Sequence, residues 1–570
     1  MFNSLPASAL VTLNWEWDRF SPYYLELSNR PLTAGTLPEW LSDWSRLSEI
    51  AQETANRLYI ATTVDTNDRD AEKMYNFFLD EIYPQAETAE QLLKQKLLDS
   101  GLKPPGFELQ LRNMQAEADI YREENLALLA QELKLSTEYD KIIGAQTITW
   151  KGEEITLPQL QRVYQEPDRE DREKAWRRAA QRQLQDREAI GELWARFLKL
   201  RQKIFLNTGM PDYRSYRWVN LLRFDYTPED CQQFHDSIEK VVVPAAERLY
   251  ERRRKNLNLE TLRPWDLNVD PYGKPPLRPF SDVDELEDTT RRIFSRVDPE
   301  LGLYFETMRS ESLLDLENRK GKAPGGYCET LSAVKRPFIF MNAVGVHDDV
   351  QTLIHEGGHA FHVFETVHLP YLQQRDVGLE IAEVASMSME LLSAPYLSQE
   401  MGGFYTPRDA ARARIEHINA ALCFWPYMAV VDAFQHWVYL NHNVALDPVE
   451  CDRKWSELWD RFMPGVDWSG LEEEMATGWQ RKLHIHQVPF YYVEYGLAQL
   501  GAFQIWANAI ENQDQAVADY RRMLSLGATA TLPELFNAAG ARFAFDESTL
   551  QSAVDLAEST IAELESVIEN

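Results

Sequence analysis

Cysteine is scarce in this chain: only Cys231, Cys328, Cys423 and Cys451 occur in 570 residues. None are paired at C-x-x-C spacing, so reduced thiols are expected rather than disulfides or a thiolate metal site. Long apolar runs are missing too. The longest, AALCFWPYMAVV at 420–431, contains Pro426 and runs into Asp432, whereas a bilayer span needs about 20 apolar residues. The opening stretch, MFNSLPASALVTLNWEWDRF, lacks the basic start and sustained apolar core of a secretory signal. The expected setting is the cytoplasm, with no membrane partner. Basic charge is also in deficit, since 59 Lys and Arg against 90 Asp and Glu leave a net charge of −31. Such a surface repels phosphate backbones. The basic stretch at 169–187 is interleaved with acids at helical spacing, and that at 252–255 is only four residues long, so neither makes a nucleic-acid site.

What the sequence does hold is core material and helical pattern. Apolar residues make up 44%, with 16 Trp, 24 Tyr and 25 Phe, enough for one very large core or several smaller ones. Between 170 and 205, Trp176, Ala180, Leu184, Ile190, Leu193, Phe197, Leu200 and Ile204 recur mostly three or four apart among charges, predicting one helix of many turns. The stretches TAEQLLKQKLLDS and QLRNMQAEADIYREENLALLAQELKL read the same way, giving an N-terminal helical lobe over 1–205 and leaving a second helical domain over 206–570. Within the lobe, QTITWKGEEITLPQL (146–160) alternates β-branched and polar residues around Lys151-Gly152. It predicts a hairpin at 146–157, with Pro158 opening the next helix. The Pro-rich and Gly-rich segment 264–280 predicts an irregular connector.

The chemistry concentrates in TLIHEGGHAFH (352–362). On a helix, His355 and His359 share a face and their imidazoles converge on one ion, with Glu356 beside the first. Two neutral imidazoles holding Zn²⁺, and a carboxylate close to the water that the ion activates, are what a metallopeptidase needs. Gly357 and Gly358 weaken a helix by about 1 kcal/mol each relative to Ala, so a close approach by a second helix or a substrate backbone must require them. A third ligand is expected from VGLEIAEVASMSMELLSAPYL (377–397), which embeds Glu380, Glu383 and Glu390 in apolar surroundings.

VQTLIHEGGHAFH followed by IAEVASMSMELL resembles the thimet oligopeptidase and oligoendopeptidase F family of zinc metallopeptidases. KGKAPGGYCETL (320–331), PFIFMNAVG (337–345), HIHQVPFYYVEYGLAQLGAFQIW (484–506) and the hairpin near 150 extend the likeness over about residues 140 to 570. The resemblance implies a mainly α, prolate, two-lobed zincin-type fold with a deep central channel and a small β element beside the active helix. It also implies one Zn²⁺ per chain on His355, His359 and Glu383, with Glu356 as general base. Glu380 and Glu390 are read either as acids orienting the histidines or as ordinary helix acids. His362 stays outside the triad.

In the C-terminal stretch, the family's histidine and Y-x-x-Y pair fall on Tyr492, Tyr495 and one of His484 and His486, the pattern favouring His484. These would hold the oxyanion of a tetrahedral intermediate. PFIFMNAVG is expected to offer a strand edge to an extended peptide. The loop KAPGGYC is expected to cover the channel, with Tyr327 in reach of substrate or, equally, in a plain turn. The function implied is a zinc endopeptidase of short unfolded oligopeptides, its partners being peptides. The same site could run carboxypeptidase or dipeptidyl-carboxypeptidase chemistry, and a non-catalytic metal-containing peptide binder is a third reading. Oligomeric state is not legible.

Overall fold

The structure, a computed structural model, describes residues 2–569 except Lys320 and Pro324. The elements that build and support the site are α1 (Leu37–Val64), the hairpin β1 (Thr147–Trp150) and β2 (Glu153–Thr156), α2 (Arg187–Thr208), α3 (Pro228–Asn256), and the strands β3 (Leu314–Glu317), β4 (Tyr327–Leu331) and β5 (Arg336–Ala343). They continue with α4 (His347–Thr366), α5 (Leu379–Ser393), α6 (Pro407–Leu440), α7 (Tyr492–Glu511) and α8 (Glu547–Glu569). The chain is mainly helical, as expected. Among the described residues no helix is long and apolar enough to cross a membrane.

Local chemistry explains several boundaries. At the start of α3, Thr227 and Asp230 exchange side-chain and backbone hydrogen bonds and Pro228 takes the first turn, while Arg253, Arg254 and Lys255 complement the dipole at its end. The hairpin turns through Lys151 (φ 49°) and Gly152 (φ 94°), the paired left-handed conformation that a two-residue turn demands. The periodic stretch 170–205 is two helices, not one. Arg169–Leu184 ends at a turn through Gln185 and Asp186, and α2 follows. Asp186 Oδ2 accepts from Gln146 Nε2 at 2.8 Å and Arg182 Nη1 at 2.6 Å, so a side-chain network anchors the break without Gly or Pro.

Four apolar cores form among the described residues, the smallest joining Ile148, Leu160, Tyr164, Ala175 and Ala179 at the hairpin. The largest packs α2, α3, α6, α7 and α8 around Trp194, Phe234, Trp425, Trp455 and Trp479, all inaccessible. Burying each such ring contributes about 1.5–3 kcal/mol. A second core lies under the sheet and joins Phe294, Ile339, Leu353, Phe361 and Val384. The third belongs to the N-terminal helices, around Trp40, Trp44, Phe20 and Phe107.

Between this N-terminal core and the rest runs a mostly polar seam. Asn56 Nδ2 donates to the Thr330 carbonyl (2.9 Å), Ser332 Oγ to Gln52 Oε1 (2.8 Å), and the Val334 and Leu372 amides to Glu53 and Ser45 side chains. Apolar contact across it includes Ile60, Ala333, Tyr371 and the ring pair Tyr59–Tyr327 (5.6 Å), and an ion pair of Arg375 with Glu49 also crosses it.

The three-stranded sheet has the order β3-β5-β4, with β3 parallel and β4 antiparallel to β5. PFIFMNA is thus the central strand, paired with β4 over Arg336–Phe340 and with β3 over Ile339–Ala343, rather than an edge of the sheet. The edge strand toward the site is β4. Of the loop before it, Lys320 and Pro324 lie outside the described residues. Tyr327 stacks on Phe340 (centroids 4.8 Å, 7° between planes), and its hydroxyl meets Thr63 Oγ1 at 2.5 Å.

Candidate functional site

The site begins with α4, whose first turn is fixed by Asp349 Oδ2 accepting from the Val344 and Val346 amides (2.8 and 2.9 Å). Two turns later His355 and His359 project from one face, ring centroids 5.0 Å apart. Helix α5 crosses at Gly358. A Cβ there would meet Ser386 Cα at 2.5 Å and the Ala385 carbonyl oxygen at 2.7 Å. The missing side chain is therefore what lets the two backbones touch, and it brings Glu383 over the histidines. Glu383 Oε2 lies 3.4 Å from His355 Nε2 and 4.0 Å from His359 Nε2. Donor atoms of all three fall within 4.8 Å of one another. That spacing fits a single tetrahedral ion with arms of about 2.0–2.2 Å.

The surroundings suit such an ion. His355 Nδ1 is 2.6 Å from Glu390 Oε1, and the other oxygen of Glu390 is 2.7 Å from His417 Nε2. A carboxylate accepting from the far ring nitrogen turns Nε2 toward the ion. Burial holds His359 down to about 4, so its imidazole is neutral and free to coordinate. Glu356 is buried, and burial pushes its carboxyl up to about 7. Glu380 is not part of this shell. It faces the other way, accepting from the Tyr226 hydroxyl at 2.9 Å beside the buried Arg223. His362 lines the same cleft with neither ring nitrogen bonded.

The tyrosine segment sits opposite. Phe490 adopts φ 66°, a strained left-handed conformation held from both ends: its amide donates to Gln435 Oε1 (2.7 Å) and its carbonyl accepts from Arg223 Nη2 (2.5 Å). This turn aims Tyr491 at the site, where its hydroxyl donates to Glu383 Oε1 at 3.3 Å. Tyr491 and Tyr495 both line the cleft, rings 5.1 Å apart. Burial, reinforced by Glu383, pushes the Tyr495 hydroxyl up to about 12, so it stays a donor.

Tyr492 is turned away. It is buried and its hydroxyl accepts from Lys482 Nζ at 2.8 Å, because the Phe490 turn gives the cleft-facing position to Tyr491. His484 lies within the tyrosine cluster, 5.0 to 5.9 Å from the rings of Tyr491, Tyr492 and Tyr495. His486 is a core residue stacked between Tyr139 and Trp479. Sequence reasoning missed Tyr491 and His417. The doubled tyrosine was a signal for the first, and nothing local marks the second.

These groups open onto a cleft of about 640 Å³. Its walls are β4 from Tyr327 to Thr330 together with Gly326, the α4 and α5 faces carrying the histidines and Glu383, the two tyrosines, and Gln52 from α1. A helical frame, a His-His-Glu donor set and a buried carboxyl beside it in a cleft edged by a strand together define a metallopeptidase.

Comparison with known proteins gives the family. Residues 163–554 match peptidase family M3 and residues 15–105 match the peptidase M3 N-terminal domain, so the chain belongs to family M3 and is a metallo-oligopeptidase. It is 20% identical over 567 residues to an oligoendopeptidase F homolog of Borreliella burgdorferi, covering 93% of this chain and 91% of the relative. Among solved structures it is similar to PZ peptidase A with an inhibitor (30% identity, TM-score 0.87, 99% of each chain). It is also similar to a putative oligoendopeptidase F (29% identity, TM-score 0.88, 98% of each chain).

Proposed function

We propose that this chain is a zinc-dependent endopeptidase that hydrolyses internal bonds of short, unfolded peptides, with His355, His359 and Glu383 holding one Zn²⁺. The observation that carries the reading is the convergence of two imidazoles and one carboxylate within 4.8 Å, beside Glu356. Zinc bound there supplies a Lewis acid and lowers the pKa of the attacking water. Glu356 takes the proton of that water on its carboxylate and delivers it to the leaving amide nitrogen. The Tyr495 hydroxyl donates to the carbonyl oxygen as charge develops on it, while Tyr491, whose hydroxyl donates to Glu383 Oε1, positions that ligand. Tyr492 supports this pair from behind through the ring cluster, as does His484.

The edge of β4 pairs with an extended substrate, adding it as a strand and presenting its carbonyl to the site. A pairing of that kind needs unpaired backbone, which selects against folded proteins. We place the enzyme in the cytoplasm, a setting that suits its free thiols.

The test is Glu356→Gln. Zinc content should be unchanged while peptide hydrolysis falls by about 10² or more. Retained turnover with zinc in place would refute the role of Glu356. Products from peptides blocked at both ends, read by mass spectrometry, should show internal cleavage, and activity only on a free C-terminus would make the enzyme a carboxypeptidase instead.

A further inference from the structure

A second cluster of ligand-type side chains lies in the largest core, away from the cleft. Helix α3 presents Cys231 and His235 and α6 presents Asp432 and His436, each pair four residues apart and so on one helical face. Cys231 and Asp432 are inaccessible, and the two histidines are 3% exposed. His235 Nε2 is 2.9 Å from Asp432 Oδ2, and His436 Nε2 lies 3.3 Å from the same oxygen in a direction that makes no aligned hydrogen bond. Asp432 Oδ1 and His436 Nε2 are left without a hydrogen-bond partner. Aromatic rings close the cluster, with Phe490 5.1 Å and Trp218 5.9 Å from the His436 ring and Phe462 6.4 Å from that of His235. Two guanidinium groups come near. Arg214 Nη1 is 3.4 Å from His436 Nδ1, and Arg223, close enough to act on the Cys231 thiol, is itself paired with Glu494.

An enclosed carboxylate oxygen and an enclosed imidazole nitrogen left unbonded are each costly, by about 1–3 kcal/mol. One divalent cation on the Asp432 carboxylate would satisfy His436 Nε2 and draw in the thiol, since Cys231 Sγ, an Asp432 oxygen and a His436 nitrogen lie within 4.8 Å of one another. The 3.3 Å separation of His436 Nε2 and Asp432 Oδ2 is close to the 3.4 Å between His355 Nε2 and Glu383 Oε2 at the cleft. It also matches the edge of a tetrahedron with arms of about 2.0–2.1 Å.

We propose that Cys231, Asp432 and His436, completed by His235, form a second, structural zinc site that pins α3 to α6. The ion would displace the Cys231 Sγ proton to solvent. Thiolate and carboxylate then balance its two positive charges, leaving a neutral buried centre. Coordination through His436 Nε2 puts the ring hydrogen on Nδ1, so Arg214 turns aside from it. Mixed sulfur, nitrogen and oxygen donors suit Zn²⁺ or Co²⁺ and disfavour Mg²⁺ and Ca²⁺.

The cleft triad contains no sulfur, so cobalt distinguishes the two sites. Full-length protein grown with Co²⁺ in place of Zn²⁺ should show a thiolate-to-cobalt charge-transfer band, which Glu383→Ala should retain and Cys231→Ser should lose. Zinc-grown wild type should carry about two metals per chain and Glu383→Ala about one. Cobalt protein without a thiolate band, or zinc-saturated Glu383→Ala with no metal, would overturn the proposal. The band reports on Cys231 whether or not Glu383 is a ligand, so failure of the cleft assignment would be seen separately, as an unchanged metal count in Glu383→Ala. Cys328, the thiol in the cleft wall, is the control: Cys328→Ser should keep the band, and with wild type and Glu383→Ala it decides the matter even if Cys231→Ser does not fold.

Discussion

Gly358→Ala is the sharpest probe of how the cleft is assembled. The new Cβ would sit 2.5 Å from Ser386 Cα and 2.9 Å from the Ala385 carbonyl carbon, where ordinary contact begins near 3.4 Å. Both are backbone atoms of α5, so no side chain can swing aside, and the two helices must part by roughly 0.9 Å to restore contact distance. Ser386 is three residues from Glu383 on the same helix, so Glu383 moves with it, away from imidazoles that it now meets at 3.4 and 4.0 Å. A displacement of about 1 Å at a reacting centre costs on the order of 10² in rate.

Stability should change far less. Ala in place of Gly favours the helix by about 1 kcal/mol, while overpacking costs about 1–3 kcal/mol. The expected result is a folded protein, its melting temperature lower by a few degrees, with weakened metal affinity and kcat/KM down about 10²-fold. Gly357→Ala is the control, because its Cβ would meet the tip of the Phe294 ring at 2.5 Å rather than α5. It should lose stability but keep activity within several-fold. Metal titration, a quenched-fluorescence peptide assay and thermal melts on both variants decide it. Wild-type metal affinity and turnover in Gly358→Ala, or equal metal loss in Gly357→Ala, would refute the reasoning.

The other expectations concern the supports and the substrate. Glu390→Gln, which weakens the bridge between His355 and His417, should lower metal affinity about 10 to 100-fold, whereas Glu380→Gln should leave it unchanged; the reverse order in a competition titration would displace Glu390 from its role. Arg223→Met leaves Glu494, Glu380 and the Phe490 carbonyl buried without their cation, and should cost about 3–5 kcal/mol and lower kcat with the cleft metal retained; an unaltered melt would contradict the buried network. In a digest of unfolded chains of graded length, cleavage should fade beyond roughly a few tens of residues, and a folded globular protein should survive; rapid cutting of its loops would remove the size limit set by the cleft.

How much of this was legible in the sequence depends on the range over which each feature is decided. The His355-to-His359 spacing is a property of one helical turn and is read directly. The hairpin at Lys151-Gly152 is equally local. Assigning Glu383 needed the family resemblance, because three acids share that apolar helix and only the packing at Gly358 separates them. PFIFMNA is recognisable as a strand by alternation, but its central place depends on β3, four residues with no strong pattern of their own. The Tyr491 orientation follows from a left-handed Phe490, and no residue type announces that conformation. The break at Gln185-Asp186 depends on Gln146, some forty residues away. Tertiary partners decided each of these, and periodicity does not see them.

The polar seam between α1 and the sheet bears on how the molecule comes apart. Hydrogen bonds such as Asn56 to Thr330 and Ser332 to Gln52 can be exchanged for bonds to water at small net cost, while the apolar cores on either side stay closed. The helices around Trp40, Trp44 and Phe107 are thus expected to melt as a separate cooperative unit, and calorimetry should resolve more than one transition. A wall that detaches without melting what it covers gives a peptide a way in and its fragments a way out, at a fraction of the free energy of unfolding.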